Sequence, residues 1–128
     1  MADVYITDID VVSPAVGTLA TISDISLVSS VTAGDVVDLG EVSVINSGDT
    51  EGTIYLKLVE NPNTPTEAEL ILLQIDNVQP GDVAVFALNN FLVPDTPGIW
   101  SLGIKVWGID EEEPSWSVSG KVLSIEFP

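Results

Sequence analysis

The feature that most constrains this chain is period-two alternation closed off by turn residues, clearest between Thr32 and Leu58. There the sequence reads TAGDVVDLGEVSVINSGDTEGTIYLKL. Ala33-Gly34-Asp35 opens a run with apolar residues at Val37, Leu39, Val42 and Val44, and Asn46-Ser47-Gly48-Asp49 closes it. A second run sets Ile54, Leu56 and Leu58 on one face and Thr53, Tyr55 and Lys57 on the other. Successive side chains of a pleated strand point to opposite faces. The pattern therefore predicts half-buried antiparallel strands joined by tight turns.

The rest of the chain follows the same grammar. Ile6-Thr7-Asp8-Ile9-Asp10-Val11-Val12-Ser13 is matched by Ile22-Ser23-Asp24-Ile25-Ser26-Leu27-Val28-Ser29, a weak internal repeat in which both copies are read as alternating strands that end in turn residues. Either two strands of similar composition look alike by chance, or one copy opens the fold and the other is an extra N-terminal strand, which must cap a sheet edge or pair with a neighbouring molecule. Thr64-Pro65-Thr66-Glu67 resembles a helix capping box and could start a short helix from Pro65 to Leu73. Alternation through Ile71, Leu73 and Ile75 favours a strand preceded by a turn. Gln79-Pro80-Gly81-Asp82 is a strong turn signal, and Val83, Val85 and Ala87 follow as a strand. Asn89 to Gly98 is a loop with an apolar tip at Phe91, Leu92 and Val93. Trp100, Leu102, Ile104 and Val106 line one face of the next strand, with Ser101, Gly103, Lys105 and Trp107 on the other. The last strand alternates through Leu123, Ile125 and Phe127. Seven to eight strands at short, regular intervals predict an all-β antiparallel sandwich rather than a parallel α/β sheet. It forms one domain over residues 1–128, with residues 1–17 as an N-terminal strand or arm.

These strands also resemble a known group. AGDVVDLGEVSVINSGDTEG is similar to the V-x-N-x-G-D signature of Ig-like and fibronectin-III-like adhesion domains of bacteria and archaea, notably the cell-adhesion-related domain group (CARDB). VQPGD resembles that group's P-G-[DE] turn. DTPGIWSLGIKVWGID resembles its P-G-x-Y-x-L-x-V strand, with Trp100 at the aromatic position. The resemblance implies a single Ig-like sandwich and brings no catalytic signature with it. Such domains usually sit inside long secreted proteins, whereas this sequence starts at a Met without an export signal and reads as a free-standing product.

Charge narrows the partners. The 128 residues hold 20 Asp and Glu against three Lys (Lys57, Lys105 and Lys121), with no Arg and no His, for a net charge of −17. Phosphate recognition needs clustered Lys or Arg, so nucleic acid is excluded, and anionic membrane surfaces go with it. Such acidity suits either a high-salt habitat, where the Debye length shrinks to about 3 Å at 1 M, or an assembly that presents a solvated acidic face. Cysteine is absent, so there are neither disulfides nor thiolate metal sites. MADVYITDIDVV has neither a basic n-region nor an apolar h-region, so no signal peptide is visible.

Carboxylates are the only abundant reactive group. Asp110-Glu111-Glu112-Glu113 could hold Ca²⁺ through several oxygens, though EF-hand spacing is missing and a solvated hairpin loop is the simpler reading. No other cofactor is indicated. Acid–base catalysis needs converging carboxylates with orienting donors, and a serine nucleophile needs a base. With no Arg or His and three scattered Lys, no catalytic residues emerge, and the chain reads as a non-enzyme. Symmetric closure of the Gly108–Ser115 hairpin would face Trp107 with Trp116. That arrangement is either ordinary cross-strand stabilisation or an aromatic platform for a sugar ring. Phe91, Leu92 and Val93 are a plug over one end of the sandwich or an exposed contact, with the plug preferred.

The expectation is thus a structural module that docks through protein partners, either copies of itself or capsid and tail proteins. It would be a virion component, or lie at the cell exterior, with Val4, Ile6 and Ile9 of the arm as contacts. The alternative is a carbohydrate-binding or adhesion domain using Trp107 and Trp116.

Overall fold

The structure is a computed structural model that describes residues 17–112 and 121–128. Its described strands are β1 (Ala20–Leu27), β2 (Ser30–Thr32), β3 (Val36–Val37), β4 (Gly40–Asn46), β5 (Gly52–Glu60), β6 (Ala68–Val78), β7 (Val83–Leu88), β8 (Phe91–Leu92), β9 (Gly98–Gly108) and β10 (Lys121–Glu126). They form a three-stranded sheet in the order β1-β4-β7, a five-stranded sheet in the order β2-β10-β9-β5-β6, and a small β3-β8 ribbon. The chain is all-β, as its alternation predicts. β2 and β10 run parallel, however, so the larger sheet is mixed. It also curls into a half-barrel. The short elements β2, β3 and β8 raise the number of described strands above the seven or eight expected.

The two sheets share one apolar cluster. Val42 and Val44 of β4 and Phe86 and Leu88 of β7 meet Leu56 and Leu58 of β5 and Leu102 and Ile104 of β9, all buried. The Thr32–Leu58 alternation is therefore the centre of the fold. It is interrupted once: Leu39 and Val42, three residues apart, are both fully buried because the chain breaks between β3 and β4. The stretch from Thr64 to Leu73 resolves as a turn followed by the long strand β6.

Three faces differ from the sequence expectation. On β7 the inward residues are Ala84, Phe86 and Leu88, while Val83 and Val85 are exposed. Both sets alternate equally well, and the larger volumes of Phe86 and Leu88 fill the core. Phe127 continues the period of Leu123 and Ile125, yet it lies beyond the end of β10 and is 80% exposed. β1 is not a plain alternating strand either. Its register against β4 shifts between Ile22 and Asp24, so Ile22 and Ile25, three residues apart, both pack against the core. A β-bulge is the device that allows this spacing.

Candidate functional site

The most elaborate polar construction lies where the chain enters β1. Four successive backbone N–H groups each donate to a side-chain oxygen. Gly17 N–H reaches Asp49 Oδ1 at 2.8 Å, and Thr18 N–H reaches Asp110 Oδ2 at 2.8 Å. Leu19 N–H reaches Asn46 Oδ1 at 3.3 Å, and Ala20 N–H reaches Glu111 Oε1 at 2.6 Å. Asn46 ends β4, Asp49 lies in the β4–β5 connection, and Asp110 and Glu111 follow β9. In return the Gly17 carbonyl accepts from Asp49 N–H and Thr50 N–H, and the Thr18 hydroxyl donates to the Thr50 carbonyl at 3.0 Å. Thr18 is completely buried.

Asn46 is the centre of this clasp. It ends β4, is fully buried, and uses its whole side-chain amide. Oδ1 accepts from Leu19 N–H and Gly48 N–H, while Nδ2 donates to the carbonyls of Thr50 and Val78, both at 2.9 Å. Two glycines permit the close approach. A Cβ on Gly48 would overlap the Gly17 carbonyl oxygen, and one on Gly108 would overlap the Thr18 carbonyl oxygen.

The hydrogen bond from Gly17 N–H, followed by that from the Thr50 hydroxyl, holds the Asp49 carboxyl below its usual range. A carboxylate with a lowered folded-state pKa contributes stability that is complete above its unfolded pKa and fades as pH falls through the folded value. Replacing Asp49 by Asn keeps an acceptor but removes the charge. The stability gap between the native chain and Asp49→Asn, read from urea midpoints, should therefore be full above about pH 5 and close progressively below about pH 4. A gap independent of pH would contradict this.

A second polar cluster lies on the outer face of the larger sheet. Lys57 and Lys105 sit directly opposite each other on β5 and β9. Like charges in that position are unfavourable. Glu67 Oε2 lies 3.4 Å from Lys105 Nζ, and Glu69 Oε1 lies 3.8 Å from Lys57 Nζ. The Asn63 N–H bond first, and then the attraction of Lys105, hold the Glu67 carboxyl low. One step along the same pair of strands, Tyr55 stacks on Trp107, with ring centroids 5.4 Å apart and planes 19° apart.

The predicted residues separate clearly. Val4, Ile6, Ile9, Glu113 and Trp116 lie outside the described residues, so the Trp107–Trp116 pairing does too; the described partner of Trp107 is Tyr55. Phe91 and Val93 are buried as a plug, whereas Leu92 between them is 69% exposed and pairs with exposed Val36 across β3 and β8. Asp110 and Glu111 hold the backbone of Thr18 and Ala20, Glu111 also accepting from Gly108 N–H, and Glu112 is exposed. Among the described residues no group of three or more His, Cys, Asp or Glu side chains is arranged to hold a metal ion. Asn46 and Tyr55 were not singled out as functional by the sequence. Asn46 reads as an exposed turn residue, and only its place at the head of an Asn-x-Gly-Asp run marks it.

No protein-family model matches the sequence, and no curated protein does. Among solved structures, the chain is similar to the crystal structure of beta-glucosidase from Listeria innocua, with 16% sequence identity and a TM-score of 0.54. The match covers 86% of this chain and 16% of that one. At that identity the likeness concerns the fold alone, and this chain spans a small part of the glucosidase's length.

Proposed function

We propose that this chain is a non-enzymatic structural module, a single Ig-like β-sandwich that docks onto copies of itself or onto a larger assembly such as a virion. The Ig-like reading draws on the CARDB-like motifs around Asn46 and on two sheets that share one core. The observation that carries the docking reading is the clasp. It anchors Gly17–Ala20 through four side-chain acceptors, so a load on residues 1–16 is borne by the domain and not by β1 alone. The exposed Val36–Leu92 pair adds an apolar contact at the β3–β8 ribbon. Such a module works at a particle surface or cell exterior, through protein partners. Removing Ala2–Val12 is the test: the urea midpoint should stay within the equivalent of about 0.5 kcal/mol, while self-association or particle binding, followed by light scattering, is lost. Unchanged association sinks the proposal.

The Tyr55–Trp107 stack favours a second reading, a glycan-binding or adhesion domain. On this reading a sugar ring stacks against the aromatic pair on the outer face of the larger sheet. On this reading Trp107→Ala abolishes signal on a glycan array; an array with no Trp107-dependent binding rules it out.

A further inference from the structure

We infer that the open edge of β1 takes Ile6–Ser13 of a second copy of this chain as an added parallel strand. The inference rests on the docking reading above and names its partner and its seat.

β1 pairs with β4 on one side, and among the described residues no strand flanks the other. Such an edge offers a row of backbone donors and acceptors to an extended segment. The bulge makes this edge selective. A segment of strict alternation laid along β1 would pass the shift between Ile22 and Asp24 and turn its apolar side chains outward. Ile6–Ser13 is not strictly alternating. ITDIDVVS and ISDISLVS share Ile, Asp, Ile, Val and Ser at the same places. Ile6, Ile9 and Val11 are spaced as Ile22, Ile25 and Leu27, the inward residues of β1. Thr7 supplies a hydroxyl where Ser23, at the bulge, donates to the Ser43 carbonyl at 3.2 Å. Parallel and in register, both strands bulge at one point and keep their apolar residues on one face.

Chain geometry excludes the segment's own β1 as the seat. In this register Ser13 lies beside Ser29, beyond one end of β1, while Gly17 is clasped beyond the other end. The eight residues of β1 alone span roughly 23 Å. Four Cα steps from Ser13 to Gly17 reach at most about 15 Å. The clasp also carries residues 17–19 across to Gly52 and Gly108 at the ends of β5 and β9, away from the β1 edge. A strand in this parallel register must therefore come from another copy. Asp8 would then lie beside Asp24, and each copy carries a net charge of −17, so added salt should strengthen the pairing.

The chain has no cysteine, which permits a direct test. Asp10→Cys chains are mixed at high salt with Ser26→Cys chains or with chains carrying Ala87→Cys on the other edge strand, β7. A disulfide-linked pair should form with Ser26→Cys and not with Ala87→Cys. Cross-linking to Ala87→Cys alone, or none to Ser26→Cys while removal of Ala2–Val12 still abolishes association, overturns this seat and leaves the docking reading standing. Association indifferent to that removal, or a chain monomeric at every concentration and salt, overturns both.

Discussion

Asn46→Ala should destabilise the fold by about 3 kcal/mol or more, visible as a large fall in the urea midpoint at unchanged slope. The substitution removes four hydrogen bonds at once, those to Leu19 N–H, Gly48 N–H and the carbonyls of Thr50 and Val78, of which the Thr50 carbonyl keeps the Thr18 hydroxyl. Each buried group left without a partner costs about 1–3 kcal/mol, and water entering the space can recover only part of that. Asn46→Asp separates the two halves of the amide. It keeps an acceptor for the N–H pair but turns a carboxylate toward two carbonyls, which raises its folded-state pKa. The Asp variant should therefore regain stability relative to the native chain as pH falls and the side chain becomes a donor. An Asn46→Ala variant within 1 kcal/mol of the native chain, on the scale set by ordinary surface changes, would mean that the clasp is incidental.

Gly108→Ala should be as damaging for a different reason. The added methyl would occupy the position of the Thr18 carbonyl oxygen, and that neighbour is backbone rather than a side chain able to swing away. Relief requires Gly17–Leu19 to lift out of the clasp and lose the hydrogen bonds to Asp110 and Asn46. The expected loss is again about 3 kcal/mol, in the range of overpacking combined with broken buried hydrogen bonds. Gly81→Ala is the control, because a Cβ there meets nothing within 4 Å, although its φ of +84° carries a local strain. Its smaller cost should be confined to the β6–β7 turn. Equal losses for the two variants would show that close packing against Thr18 is not the cause.

Alternation made the strands legible because period two is a local property of the chain. Leu56, Leu58, Trp100, Leu102 and Leu123 are buried as their spacing implies. What alternation leaves open is which of two apolar faces is covered, as β7 shows: Val83 and Phe86 lie on opposite faces, and only the facing sheet decides between them. The clasp was illegible for another reason. Thr18 and Asp110 are 92 residues apart in sequence, and no local signal distinguishes a carboxylate that caps a distant backbone from one that faces water. Asp110-Glu111 accordingly reads as a solvated or calcium-binding loop until Thr18 and Ala20 are placed beneath it. Trp107 was legible as an outward aromatic, but its described neighbour is Tyr55 from the adjacent strand rather than a residue of its own hairpin. Conversely, the three-residue spacing of Ile22 and Ile25 was present in the sequence and explicable only once the bulge was seen.

The docking role stands or falls on whether residues 2–12 join one molecule to another. Sedimentation velocity of the intact chain and of the chain lacking Ala2–Val12, run side by side over a salt series, measures this most directly. The expected result is concentration-dependent association of the intact chain that grows with salt, and a monomer at every salt for the shortened one. Identical sedimentation of the two chains throughout the series would contradict it.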